Sequence, residues 1–224
     1  MAARTEAELL KQIEEKPGDA RIHVFVGSYY RSTGQFDLAR EQLAEARRLS
    51  PQKQQIIFEQ AFLELQAGQT EAGVAFFKEA FELEPDYQQA RSYYIAGLLL
   101  SNQIEEAEAL LETDQQWTTL ARTELAISAA RQVGAYSILI RVAEIRRDER
   151  PDDLQRWVGL AAVHYEAGDT ETAISVLEEA LATFPEFAVQ GNQFIEDIRA
   201  GRQPGAPQVT VEAQGGEVIE VTSQ

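Results

Sequence analysis

Apolar residues recur along the chain with the period of a helix. Val26, Tyr29, Tyr30 and Thr33 stand at i, i+3, i+4 and i+7, and Leu38, Gln42, Leu43, Ala46 and Leu49 trace a second, mostly apolar stripe. This spacing places side chains on one helical face. Between the two stripes lies Gly34, and the same marker returns at Gly68, Asn102, Gly134 and Gly168. Asn is the substitute expected where a turn needs positive φ. Prolines keep the same register at Pro17, Pro51, Pro85, Pro151 and Pro185, spaced by 34, 34, 66 and 34 residues. The long interval divides into one unit of 34 and one of 32. Small residues recur at Ala39, Ala107 and Ala173, and again at Ala46, Ala80 and Ala180. They let two antiparallel helices approach closely. Each unit therefore predicts a helix of about 14 residues, a short turn, a second helix and a proline-marked link. No β pattern of comparable length precedes residue 207.

The unit resembles the tetratricopeptide repeat, a 34-residue helical hairpin with small and large residues at fixed places. The first unit supplies Val26-Gly27, Tyr30, Ala39, Leu43, Ala46 and Pro51; the fifth supplies Trp157, Leu160-Ala161, Ala173, Leu177, Ala180 and Pro185. The second carries Gly73 where alanine is usual, and the third and fourth are degenerate, with Asp114 and Arg146 at small-residue sites and Thr119 replacing proline. The resemblance implies an all-α, right-handed superhelical solenoid. Five repeats are expected at about 20–53, 54–87, 88–119, 120–153 and 154–187, inside a repeat region of 18–185. Residues 1–17 read as the second helix of an incomplete repeat. Its stripe Leu9, Leu10, Ile13 would lack a cover and invite self-association. Residues 186–200 read as a capping helix and 201–224 as a flexible tail, in which Val218–Val221 could pair with a sheet edge.

Composition narrows the function. Twenty basic residues against 37 acidic ones give a net charge of −17, which disfavours nucleic acid and anionic lipid as partners. With no cysteine there is no thiolate chemistry and no disulfide. The longest apolar run, Tyr93–Leu100, is far short of the ~18 residues needed to cross a bilayer. Direct membrane insertion is not expected. A cytoplasmic chain is, in contact with a membrane only through a partner or an upstream domain. His23 and His164 lie four repeats apart and read as packing residues; the carboxylate pairs Glu14/Glu15, Glu105/Glu106 and Glu178/Glu179 suit helix starts or solvated faces. No phosphate loop, HExxH or EF-hand pattern occurs. Neither an enzyme nor a cofactor is expected.

Repeats of this kind line a concave surface with their first helices. The resemblance maps that surface to Arg21, Val24, Ser28 and Arg31 in repeat 1, and to Gln55, Phe58, Phe62 and Leu65 in repeat 2. Gln89 and Leu99 follow in repeat 3, Arg131 in repeat 4 and Tyr165 in repeat 5. An apolar centre with a polar rim suits a groove for a peptide or helical segment of a partner protein. The alternative places some of these side chains, Phe62 and Leu99 first, in the core between neighbouring repeats. The Lys/Asn set that clamps a C-terminal carboxylate in some relatives is missing, since Val24 and Ser28 stand in its places. A narrower resemblance links Gly18–Tyr30, Ser50–Gln55 and the segment from Phe187 to Arg202 to the repeat region after the membrane part of bacterial O-antigen-ligase-type glycan polymerases. It implies a soluble accessory region of such an assembly protein, with no catalytic residue carried over.

Overall fold

A computed structural model describes the backbone of residues 2–204, 209–212 and 218–221, and the side chains of residues 7–204. Two compact units result, residues 1–135 and 136–224.

The first unit is built from helical hairpins. Helices α2 (Ala20–Ser32) and α3 (Phe36–Leu49) form one; α4 (Gln54–Gln66) and α5 (Thr70–Leu83) form the next. Every turn marker read from the sequence is left-handed, with φ of +75° at Gly34, +77° at Gly68, +58° at Asn102, +69° at Gly134 and +83° at Gly168. Val26 and Tyr30 of α2 are buried against Ala39 and Leu43 of α3. Gly73 also finds its reason: a Cβ there would lie 2.8 Å from the Leu65 side chain and 3.1 Å from the Ala61 carbonyl oxygen. Alanine, the usual residue, would collide.

Arginines of the first hairpin reach acids of the second. Arg40 donates to Glu64 through Nε at 2.8 Å and Nη2 at 2.9 Å, and Glu64 is buried. Arg31 lies 3.2 Å from Glu59, and Arg47 pairs with Glu79. Planar guanidinium groups suit such two-pronged contacts.

Helix α6 (Gln88–Leu100) is buried along Ile95–Leu99. The second helix expected of the third repeat is broken. Helix α7 (Ile104–Glu108) stops early, and α8 (Asp114–Leu120) starts anew behind a capping box. Gln116 N donates to Thr113 Oγ1 at 3.3 Å, while Gln116 Oε1 accepts from Thr113 N at 2.9 Å and Glu112 N at 2.6 Å. Three backbone amides are satisfied locally, so the chain restarts a helix instead of continuing one. The next helix, α9 (Glu124–Val133), consequently begins at Glu124 and not at Leu120, and it packs on α6.

Helix α1 (Ala2–Glu15) corrects the picture of an open edge. Leu9 is buried with Val26 and Tyr30, and Ile13 is half-buried beside them, leaving Leu10 as the exposed member at 43%.

In the second unit, α10 (Tyr136–Glu149) packs on α11 (Leu154–Glu166), which pairs with α12 (Thr170–Thr183). A turn of 3₁₀ helix at Pro185–Phe187 then leads into α13 (Ala188–Arg199). Phe187, Ile195 and Ile198 close the core over Leu160, Ala173 and Leu177. The tail differs from expectation at two segments. Strands β1 (Val209–Glu212) and β2 (Val218–Val221) pair antiparallel, Val209 opposite Val221 and Glu212 opposite Val218. The other tail residues, 205–208, 213–217 and 222–224, lie outside the described residues.

Candidate partner-binding surface

The first helices α2, α4, α6 and α9 carry most of the residues expected to line a groove, and their depth varies widely. Phe58 is 1% exposed and Leu99 is fully buried. Both are core residues, not groove residues. Tyr93 meets Phe58 edge-on with ring centroids 5.0 Å apart, and Tyr87 lies 6.2 Å away.

Phe62 and Leu65 remain half-buried. Phe62 forms the outer edge of a ring cluster, 5.4 Å from Phe77 and 5.2 Å from Tyr93, both edge-on. Such geometry aligns positive ring edges with negative faces. Leu125 of α9 packs against the same cluster. A polar rim adjoins it: the Tyr87 hydroxyl donates to Gln89 Oε1 at 2.6 Å, and Gln89 Nε2 donates to the Tyr93 hydroxyl at 3.1 Å. Tyr93 was not among the expected groove residues, yet it ties the aromatic edge to that rim.

Between α2 and α4 the surface is polar. Ser28 Oγ donates to Glu59 Oε2 at 3.1 Å, and Arg31 Nη2 donates to the same oxygen at 3.2 Å. Ser28 and Arg31 are therefore committed to a repeat-to-repeat contact. Arg21, Val24 and Gln55 line an open depression of about 780 Å³ together with Lys16 and Lys53. There Asp19 caps α2, accepting from Arg21 N at 3.0 Å, from Arg21 Nε at 3.0 Å and from Arg21 Nη2 at 2.7 Å. The Arg21 guanidinium, with help from the Arg21 backbone amide, lowers the Asp19 carboxyl to about 2. Arg131 is exposed on α9. Tyr165 belongs to the second unit, where its hydroxyl lies 3.4 Å from the Arg202 carbonyl and its ring lines an apolar cleft of about 290 Å³ with Val158, Phe194 and Ile198.

Both histidines are tied into structure. His23 is buried between Pro17 O at 3.0 Å (Nε2) and the Gln42 amide at 2.9 Å (Nδ1). The Pro17 carbonyl can only accept, so Nε2 is the donor in that contact. His164 Nδ1 lies 3.3 Å from Asp169. Hydrogen bonds from Thr172 first, then from His164, hold the Asp169 carboxyl below the usual carboxylate range. No group of three or more acids and histidines suited to a metal occurs among the described residues.

Residues 64–122 match the family model of the tetratricopeptide repeat. Solved structures extend that likeness along the chain. A tetratricopeptide repeat protein from Parabacteroides merdae superposes with a TM-score of 0.56 at 15% identity, covering 89% of this chain and 80% of its own. The fold is a tetratricopeptide-repeat solenoid. Another similar solved structure is pilF of Pseudomonas aeruginosa, with a TM-score of 0.51, 12% identity and 90% of each chain covered. A fragment of MamA from Desulfovibrio magneticus gives 0.51 at 17% identity, over 75% of this chain and 96% of that one. No curated protein matches the sequence. No helix among the described residues is long and apolar enough to cross a membrane.

Proposed function

We propose that this chain is a non-enzymatic protein-interaction scaffold whose first-helix face in the N-terminal unit takes a peptide or helical segment of a partner. The observation that carries the reading is the aromatic edge of Phe62 and Tyr93, half-buried beside the hydrogen-bonded rim of Gln89 and Tyr87. Such an edge offers rigid apolar area, and the adjacent amide and hydroxyls offer groups that fix the register of a bound backbone. The resemblance to the repeat region of glycan polymerases stays a sequence likeness.

The test is a displayed peptide library selected on the full chain, with every binder remeasured on Phe62→Ala and Gln89→Ala. Phe62→Ala should weaken selected peptides by about tenfold or more, the scale of an interface anchor. Binders that hold equally well to both variants would move the binding face elsewhere.

A further inference from the structure

We propose that the depression between the starts of α2 and α4 docks an acidic peptide segment, with side-chain carboxylates held by Lys16 and Lys53. The inference rests on the partner-binding reading and names the chemistry of the partner. It has its own test, because Phe62 does not line this depression.

Cations are scarce in a chain of 20 basic and 37 acidic residues, and nearly all the described ones are engaged. Lys11 and Lys78 lie 3.8 and 3.7 Å from Glu15 and Glu82. Arginines pair with acids in both units, as Arg48 does with Glu45 and Arg199 with Glu178. Arg91 donates to the carbonyls of Pro85 and Leu110, and Arg122, Arg131 and Arg146 also have partners. Among the described side chains, Lys16 and Lys53 are the two basic ones that make no hydrogen bond or ion pair. Both line the same depression, although they come from different links of the chain.

The acid that lines the depression does not quench them. Asp19 is already gripped by Arg21 through two side-chain hydrogen bonds, and Lys16 acts on it only through space. Val24 and the buried Ile56 supply an apolar floor, with Gln55 beside them. The depression, at about 780 Å³, exceeds what one carboxylate or phosphate fills. It suits a short run of chain with carbon between its acidic groups. Elsewhere the surface of a chain at −17 repels such a segment, so specificity comes from repulsion around the site as well as attraction within it.

The probe is a fluorescent peptide of alternating Glu and Leu, acetylated and amidated so that only side chains carry charge, compared with its Gln counterpart by anisotropy. The full chain should bind the Glu peptide at least about tenfold more tightly. The double variant Lys16→Gln/Lys53→Gln should lose about tenfold, while Lys11→Gln/Lys78→Gln, which removes two paired lysines, should change affinity less than about twofold. Equal binding of the two peptides overturns the proposal, and so does an equal loss in the control variant. Inorganic phosphate that displaces the peptide where sodium chloride of the same ionic strength does not would replace it with a small-anion site. Should the Gln double variant melt lower than the parent, Lys16→Arg/Lys53→Arg decides: retained binding supports the charge-based site, and lost binding overturns it.

Discussion

At the scale of single residues, the repeat register gives the face of a helix on which a side chain lies and leaves its depth open. Val24 and Phe58 occupy the same place in successive repeats, yet Val24 is half-buried beside a depression and Phe58 is enclosed. The difference comes from the link that ends this repeat and the first helix of the next, whose Tyr87 and Tyr93 rings cover Phe58. No spacing rule within one unit contains that information. Tyr93 was missed for a related reason, since it stands one position beyond those expected to face a groove. The depth has a direct consequence. Phe58→Ala should remove about 3–5 kcal/mol of folding stability, as truncation of an enclosed aromatic does. Phe62→Ala, at the half-buried edge, should cost clearly less while weakening peptide binding. Denaturant unfolding of the two variants side by side checks this ordering; equal losses would return Phe62 to the core.

At the scale of elements, most boundaries were legible because turn chemistry is local. Left-handed Gly34, Gly68 and Gly168 mark hairpin turns whatever packs around them, and Asn102 and Gly134 follow the ends of their helices in the same left-handed conformation. The break between α7 and α8 was hidden, since Ala109-Leu110-Leu111-Glu112 is a good helical sequence. The capping box at Thr113 and Gln116 overrides it. The cap of α2 adds a measurable dependence on pH. Asp19 has its carboxyl lowered to about 2 by Arg21, below the value it has in an unfolded chain. Its charge therefore contributes stability above about pH 4, and that contribution is lost as the pH falls through about 2. Asp19→Asn keeps a capping oxygen but no charge. The melting temperatures of parent and variant should differ most near neutrality and converge by about pH 2. A difference that stays constant across that range would show that the ion pair with Arg21 does not stabilise the fold.

At the scale of the whole molecule, the helical repeat was legible because the same markers return on one grid, and independent copies of a pattern reinforce one another. The tail was not, because a four-residue stretch such as Val218–Val221, with no strict apolar–polar alternation, is too short to distinguish a paired strand from an unpaired segment. Its pairing with Val209–Glu212 is local to the tail. The described core of the second unit is complete without it: Phe187, Ile195 and Ile198 close over Leu160 and Leu177, and Arg202 bonds Asp197 at 2.9 Å, all before residue 205. An isolated two-stranded hairpin adds little stability of its own in water. Ending the chain after Pro204 should therefore leave the melting temperature within about 2 °C of the parent, less than a change of 1 kcal/mol would produce at this size. Calorimetry of the two proteins measures it. A larger drop would mean that the hairpin docks on the helices, and the apolar cleft beside Tyr165, Phe194 and Pro204 would then be the first place to look for its contact.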